Sequence, residues 1–166
     1  MSLIIDAYNV LFAITHHGGK PIGDAIEEAR TRLIEKLVRH HQETGEDVTL
    51  VFDSHQPAGG ASRQESLPGV YIRYSHPPRT ADDDILRLVE TSTGPQHLRV
   101  VTSDRALGRA CSKAGAEVVG AMTFYNDLTL RGRKADEDGK EQQLKNEPPS
   151  ADEVREWLEL FGDDKA

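Results

Sequence analysis

Three apolar runs in this sequence close on an aspartate: Leu3-Ile4-Ile5-Asp6, Thr49-Leu50-Val51-Phe52-Asp53 and Val100-Val101-Thr102-Ser103-Asp104. A fourth acidic group, Asp82-Asp83-Asp84, follows Thr80-Ala81 at what reads as a helix start. Carboxylates gathered in one crevice repel one another at neutral pH, and proton uptake or a cation must offset that repulsion. No histidine or cysteine stands beside them at a metal-motif spacing, so the donors are hard oxygens and point to Mg²⁺ or Mn²⁺ rather than zinc. The chemistry open to such a site is phosphodiester hydrolysis, in which divalent ions generate hydroxide, orient the phosphate and stabilise the leaving oxygen.

Positioning these residues requires a particular architecture. Ser2 to Asp6, Val48 to Phe52 and Leu98 to Thr102 read as buried strands, Val70 to Tyr74 as a more exposed one, and Glu117 to Val119 as a last short strand. Between them, helical spacing marks Gly23 to Thr44, a segment opened by Thr80, Asp104 to Ala114, and Met122 to Leu130. Strands alternating with helices imply an α/β fold with a mainly parallel sheet covered on both faces. In such a sheet the ligand crevice lies beyond the carboxyl ends of the strands, where Asp6, Asp53 and Asp104 would all arrive.

Each acid alone has a plainer reading. Asp104 before Arg105-Ala106-Leu107 suits a helix N-cap, Asp53 suits a turn, and Asp84 is the member of the triple aspartate assigned to complementing the helix dipole. Their convergence is what singles them out.

Length and composition are those of one globular domain, 166 residues with 37% hydrophobic and 29% charged, which buries about two-thirds of its unfolded surface. The net charge of −8 is concentrated in the tail, where residues 135–166 hold eleven acids and four bases, against 17 and 16 in the first 134. The expected organisation is therefore a domain over 1–134, an acidic polar linker over 135–149, and a short helix and tail over 150–166. Ser150-Ala151-Asp152-Glu153 has capping-box form there, and Trp157 and Phe161 lie at helical spacing. The single cysteine, Cys111, excludes an internal disulfide and reads as a small core residue. No apolar stretch reaches the roughly 18 residues of a membrane span, and no signal-peptide pattern opens the chain, which points to a cytoplasmic protein without a membrane partner.

The stretches IIDAYNVL, LVFDSH, TADDDI and VVTSD, in this order and spacing, resemble the YacP-like NYN domains of the PIN-like nuclease superfamily, over roughly Met1 to Leu130. The resemblance implies a three-layer α/β/α fold and a metal-dependent endoribonuclease, with RNA and the ribosome as partners in mRNA or rRNA processing and decay. It assigns the acidic site to Asp6, Asp53, Asp82 and Asp104, with Asp83 at a less strictly acidic position and Asn9 as polar partner. Asp6, Asp82, Asp104 and Asn9 are then the catalytic set.

RNA must be held by other groups. Candidates are Arg63, Arg73 and Arg79, with His55, His76, Tyr71 and Tyr74 nearby, and Arg105 and Arg109 with Lys113. Arg131-Gly132-Arg133-Lys134 forms a further basic group. Thr102 and Ser103 could donate to a phosphate, and Gln56 to Gly69 could cover the substrate. His16-His17 and His40-His41 read as surface pairs, and Tyr8 as a packing residue. Three readings stay open: an endoribonuclease, a metal-dependent hydrolase of DNA or a small phosphoester, and a non-catalytic RNA- or ribosome-binding module. Monomer and homodimer are equally compatible with the sequence.

Overall fold

In the computed structural model, residues 1–15, 23–54, 66–146 and 155 are described. His55, Arg63, His16-His17, Trp157 and Phe161 lie outside them, as does the expected terminal helix apart from Arg155.

Strand β1 (Ser2–Asp6) is central in a six-stranded sheet of order β3-β4-β2-β1-β5-β6. Around it lie β2 (Asp47–Phe52), β3 (Ser66–Leu67), β4 (Val70–Tyr74), β5 (Leu98–Val101) and β6 (Glu117–Val119). All pairings are parallel except β3 with β4. The antiparallel β3 occupies part of the stretch expected to cover the substrate. Because β1 is flanked by β2 on one side and β5 on the other, the order of winding reverses at the β1/β5 boundary, the place where open α/β sheets bind ligands.

The helices are α1 (Ala7–Thr15), α2 (Gly23–Thr44), α3 (Ala81–Glu90), α4 (Arg105–Lys113) and α5 (Ala121–Asn146). Strand alternation divides the core in two. Leu3, Ile5, Val48, Leu50, Phe52 and Val101 pack with residues of α1, α2 and α5 on one face. Ile4, Val51 and Val100 pack against Ala81, Ile85 and Val89 of α3 and Leu107 and Cys111 of α4 on the other. Burying each large aliphatic side chain contributes about 1.5–3 kcal/mol, which holds the starts of α3 and α4 over the ends of β1 and β5.

Tyr8 is buried as expected, in ring contact with Phe12 and edge-on to Phe52. Cys111 is buried too, and burial pushes its thiol up to about 11. His40 departs from the surface reading: it is 6% exposed, its Nε2 lies 2.9 Å from Glu46 Oε2, and its ring meets Phe124 edge-on. A partner six residues away makes burial of the imidazole affordable in free energy.

The final helix is longer than the expected Met122 to Leu130. It runs through Asn146, across most of the stretch read as a polar linker. Glu, Lys, Gln, Arg and Leu are good helix formers, and no proline occurs between Ala121 and Pro148. Two compact units divide the chain, Met1–Gly132 and Arg133–Ala166. The first contains the sheet and every acidic residue considered below.

Candidate active site

Asp6 ends β1 and is 8% exposed. It shares strand parity with Ile4, which packs on the α3/α4 side, so its carboxylate faces the starts of those two helices. Both of its oxygens accept hydrogen bonds. Thr102 Oγ1 donates to Oδ2 at 3.2 Å and the Asn9 N–H donates to Oδ1 at 3.4 Å. Thr102, itself buried, also accepts from the Asp104 N–H at 3.1 Å, and so couples two of the acids. Asn9 Oδ1 accepts from the Ser103 N–H at 2.7 Å, fastening the turn after β1 to the turn after β5.

The electrostatics record the convergence. Burial first, and Asp82 second, push the Asp6 carboxyl up to about 6, against the downward pull of the Asn9 and Thr102 hydrogen bonds; Asp104 adds to the rise. Asp82, in the first turn of α3, is raised by partial desolvation and then by Asp104, Asp83 and Asp53. Asp6, Asp53, Asp82 and Asp104 therefore share one field of negative charge. Among the described residues no three His, Cys, Asp or Glu side chains are already closed into a ligand set. Oxygen donors of this kind suit a hard cation such as Mg²⁺, which commonly takes one or two carboxylates and fills its remaining positions with water and phosphate.

Two acids, Asp83 and Asp104, also cap helices. Asp83 forms a capping box with Thr80: its Oδ2 accepts from the Thr80 N–H at 2.9 Å and from the Thr80 hydroxyl at 3.0 Å, while Thr80 Oγ1 accepts from the Asp83 N–H. These bonds to Thr80 hold its carboxyl below the usual range. Asp83 thus supplies the cap, while Asp84, also in the first turn of α3, pairs with Arg79 at 3.4 Å. Asp104 is the N-cap of α4, its Oδ1 accepting from the Leu107 N–H at 2.9 Å. For Asp104 capping and membership of the acidic cluster coexist.

Comparison with known proteins adds a lineage to this geometry. The model of the YacP-like NYN domain matches residues 3–159. The chain belongs to the YacP-like NYN domain family. YacP of Bacillus subtilis (strain 168) is 29% identical over 103 residues, 61% of this chain and 59% of that protein, so the match spans about three-fifths of the relative. The crystal structure of Rae1 (YacP) from Bacillus subtilis superposes with a TM-score of 0.72 at 23% identity, covering 98% of this chain and 92% of that one. The structure of a tryptophan-to-leucine mutant of it gives 0.66 at 24%, covering 91% and 87%. The fold is accordingly PIN-like, a three-layer arrangement with a mainly parallel sheet.

As a YacP-like NYN domain, the chain places the remaining expected residues as follows. Arg73 and Arg79 line a groove of about 610 Å³ beside α3. Arg105, Arg109, Ser103 and Lys113 line a shallower hollow of about 570 Å³ along α4 that reaches Asp104. The hydroxyl of Thr102 donates to Asp6 rather than outward, because a buried carboxylate needs that proton more. Ser103 Oγ accepts from the Ala121 N–H at 3.0 Å, at the start of α5. Ser75 has no signal in the sequence pattern, yet it is 1% exposed and its hydroxyl donates to Asp53 Oδ1 at 3.4 Å while accepting from the Ser54 N–H at 3.2 Å. Its place follows only from the pairing of β4 with β2. No helix among the described residues is long and apolar enough to cross a membrane.

Proposed function

We propose that the chain is a divalent-metal-dependent endoribonuclease that hydrolyses RNA phosphodiester bonds, with the ribosome as a place where it meets its substrate. The observation that carries this reading is the buried Asp6 carboxyl at the switch point of the sheet, raised by burial and by Asp82 and Asp104. The family to which the chain belongs supports it, being generally one of nucleases. Asp6, Asp82 and Asp104 would hold Mg²⁺ or Mn²⁺, with Asp53 at the margin of the cluster and Asp83 occupied by its cap. The bound ion would acidify a water and offset charge on the scissile phosphate and leaving oxygen.

The protein's own groups set up that chemistry. Thr102 fixes the rotamer of Asp6 and, through the Asp104 N–H, the turn that presents Asp104. Asn9 locks the two loops together. The basic hollow along α4 offers Arg105 and Arg109 to phosphates next to the acids. The preference for RNA over DNA comes from the family, since a carboxylate site treats both backbones alike.

The test is cleavage of labelled single-stranded RNA and matched DNA with Mn²⁺, Mg²⁺ or EDTA, for wild type and Asp6→Asn/Asp82→Asn. RNA cleavage abolished by EDTA and by the double substitution is expected. Equal cleavage by both proteins, or cleavage indifferent to EDTA, contradicts the assignment. Cutting of DNA alone contradicts the substrate.

A further inference from the structure

Strand alternation on β4 puts Val70 and Ile72 in the core beneath α2 and turns Tyr71 and Arg73 to the opposite face, the one on which the acidic cluster lies. Among the described residues no core packing covers that side of β4: Tyr71 is 46% exposed, and Arg73 is exposed as well. Across from it, α3 presents Asp84 and Arg87, with its C-cap Thr91 continuing the same face. Between strand and helix runs the groove of about 610 Å³ lined by Arg73, His76, Arg79, Asp84, Arg87 and Thr91. Three guanidinium groups thus face one carboxylate. Asp84 is matched with Arg79, and among the described residues neither Arg73 nor Arg87 forms an ion pair with a carboxylate.

Resting on the nuclease reading above, we infer that this groove holds the single-stranded flank of the substrate, with Arg73 and Arg87 on its phosphates and Tyr71, outside the groove lining but on the same strand face as Arg73, stacked against an unpaired base. Guanidinium forks match phosphate oxygens. An exposed tyrosine two residues from an arginine on one strand face is a stacking platform that a duplex, with its bases already stacked, cannot use. Asp82 and Arg87 are separated by five residues of α3, about 8 Å along the axis at 1.5 Å per residue, so a strand seated in the groove needs only a short span to bring its next phosphates to the acids. An acidic peptide would satisfy the arginines but would leave Tyr71 unused.

The experiment is fluorescence anisotropy of a labelled single-stranded RNA in EDTA, where binding is read without cleavage, over a range of salt. Arg73→Gln/Arg87→Gln is expected to weaken binding about tenfold or more and to reduce the magnitude of the log–log salt slope by about 1.4, the single-strand value for two lost phosphate contacts. Arg73→Lys/Arg87→Lys, which keeps the charge, should recover most of the slope. Tyr71→Ala should weaken binding of single-stranded RNA about tenfold while leaving a blunt duplex unaffected. Unchanged affinity and slope in the double glutamine variant overturn the proposal, as does equal competition by polyglutamate and RNA. Because these readouts are of binding alone, they are independent of cleavage by Asp82→Asn, whose persistence would refute the nuclease reading instead.

Discussion

The Thr102 hydroxyl donates to Asp6 Oδ2 at 3.2 Å and accepts from the Asp104 N–H at 3.1 Å, so one buried side chain joins the ends of β1 and β5. Thr102→Val keeps the branch but removes the donor from a buried carboxylate, which costs about 1–3 kcal/mol. The urea midpoint should fall accordingly, and Mn²⁺ should bind more weakly because Asp6 loses an orienting partner. An unchanged midpoint together with unchanged Mn²⁺ affinity would show that this link does not matter.

The raised pKa of Asp6 has a signed consequence for stability. Its ordinary value is 3.8 and burial, with Asp82 next, lifts it to about 6 in the folded chain. The folded state keeps a proton that the unfolded chain has lost, so this contribution to stability declines as pH rises from about 4 to about 6 and stays low above it. A rise of that size corresponds to about 3 kcal/mol. In EDTA, Asp6→Asn should therefore be more stable than wild type at about pH 7.5, with the gain shrinking toward about pH 4. Denaturant titrations at the two pH values check this; no gain, or the same gain at both, contradicts it.

Asp82 and Asp83 are adjacent but should respond oppositely. Asp83 and Thr80 cap α3 reciprocally, so Thr80→Ala should cost about 1 kcal/mol, and Asp83→Ala should lower the melting temperature while RNA cleavage persists. Asp82→Asn should abolish cleavage without lowering the melting temperature, since it relieves repulsion from Asp104. Loss of cleavage in Asp83→Ala at full stability would reverse these roles.

Much of the site is legible in the chain because Asp6, Asp53 and Asp104 each close an apolar run, and parallel strands deliver such residues to one edge. The division of labour within Asp82-Asp83-Asp84 is less apparent, since composition does not say which of three successive helical positions faces the sheet. The spacing Thr80-x-x-Asp83 is a capping-box signal that separates them. Helix α1 is hidden by its brevity, although Ala7, Val10 and Leu11 have helical spacing. The extension of α5 to Asn146 has no apolar stripe to announce it, and rests on propensity. Ser75 owes its role to Asp53, brought to it by the pairing of β4 with β2, and His40 owes its burial to Glu46 across the turn after α2 and to Phe124 of α5.

The central claim is that Asp6, Asp82 and Asp104 share one cation, and Mn²⁺ binding followed by electron paramagnetic resonance addresses it without reference to any substrate. Wild type should bind Mn²⁺ saturably, and Asp6→Asn/Asp82→Asn should bind it at least about a hundredfold more weakly, since loss of a group that merely orients a ligand already costs about 10–100-fold. Equal binding by the two proteins would contradict the account.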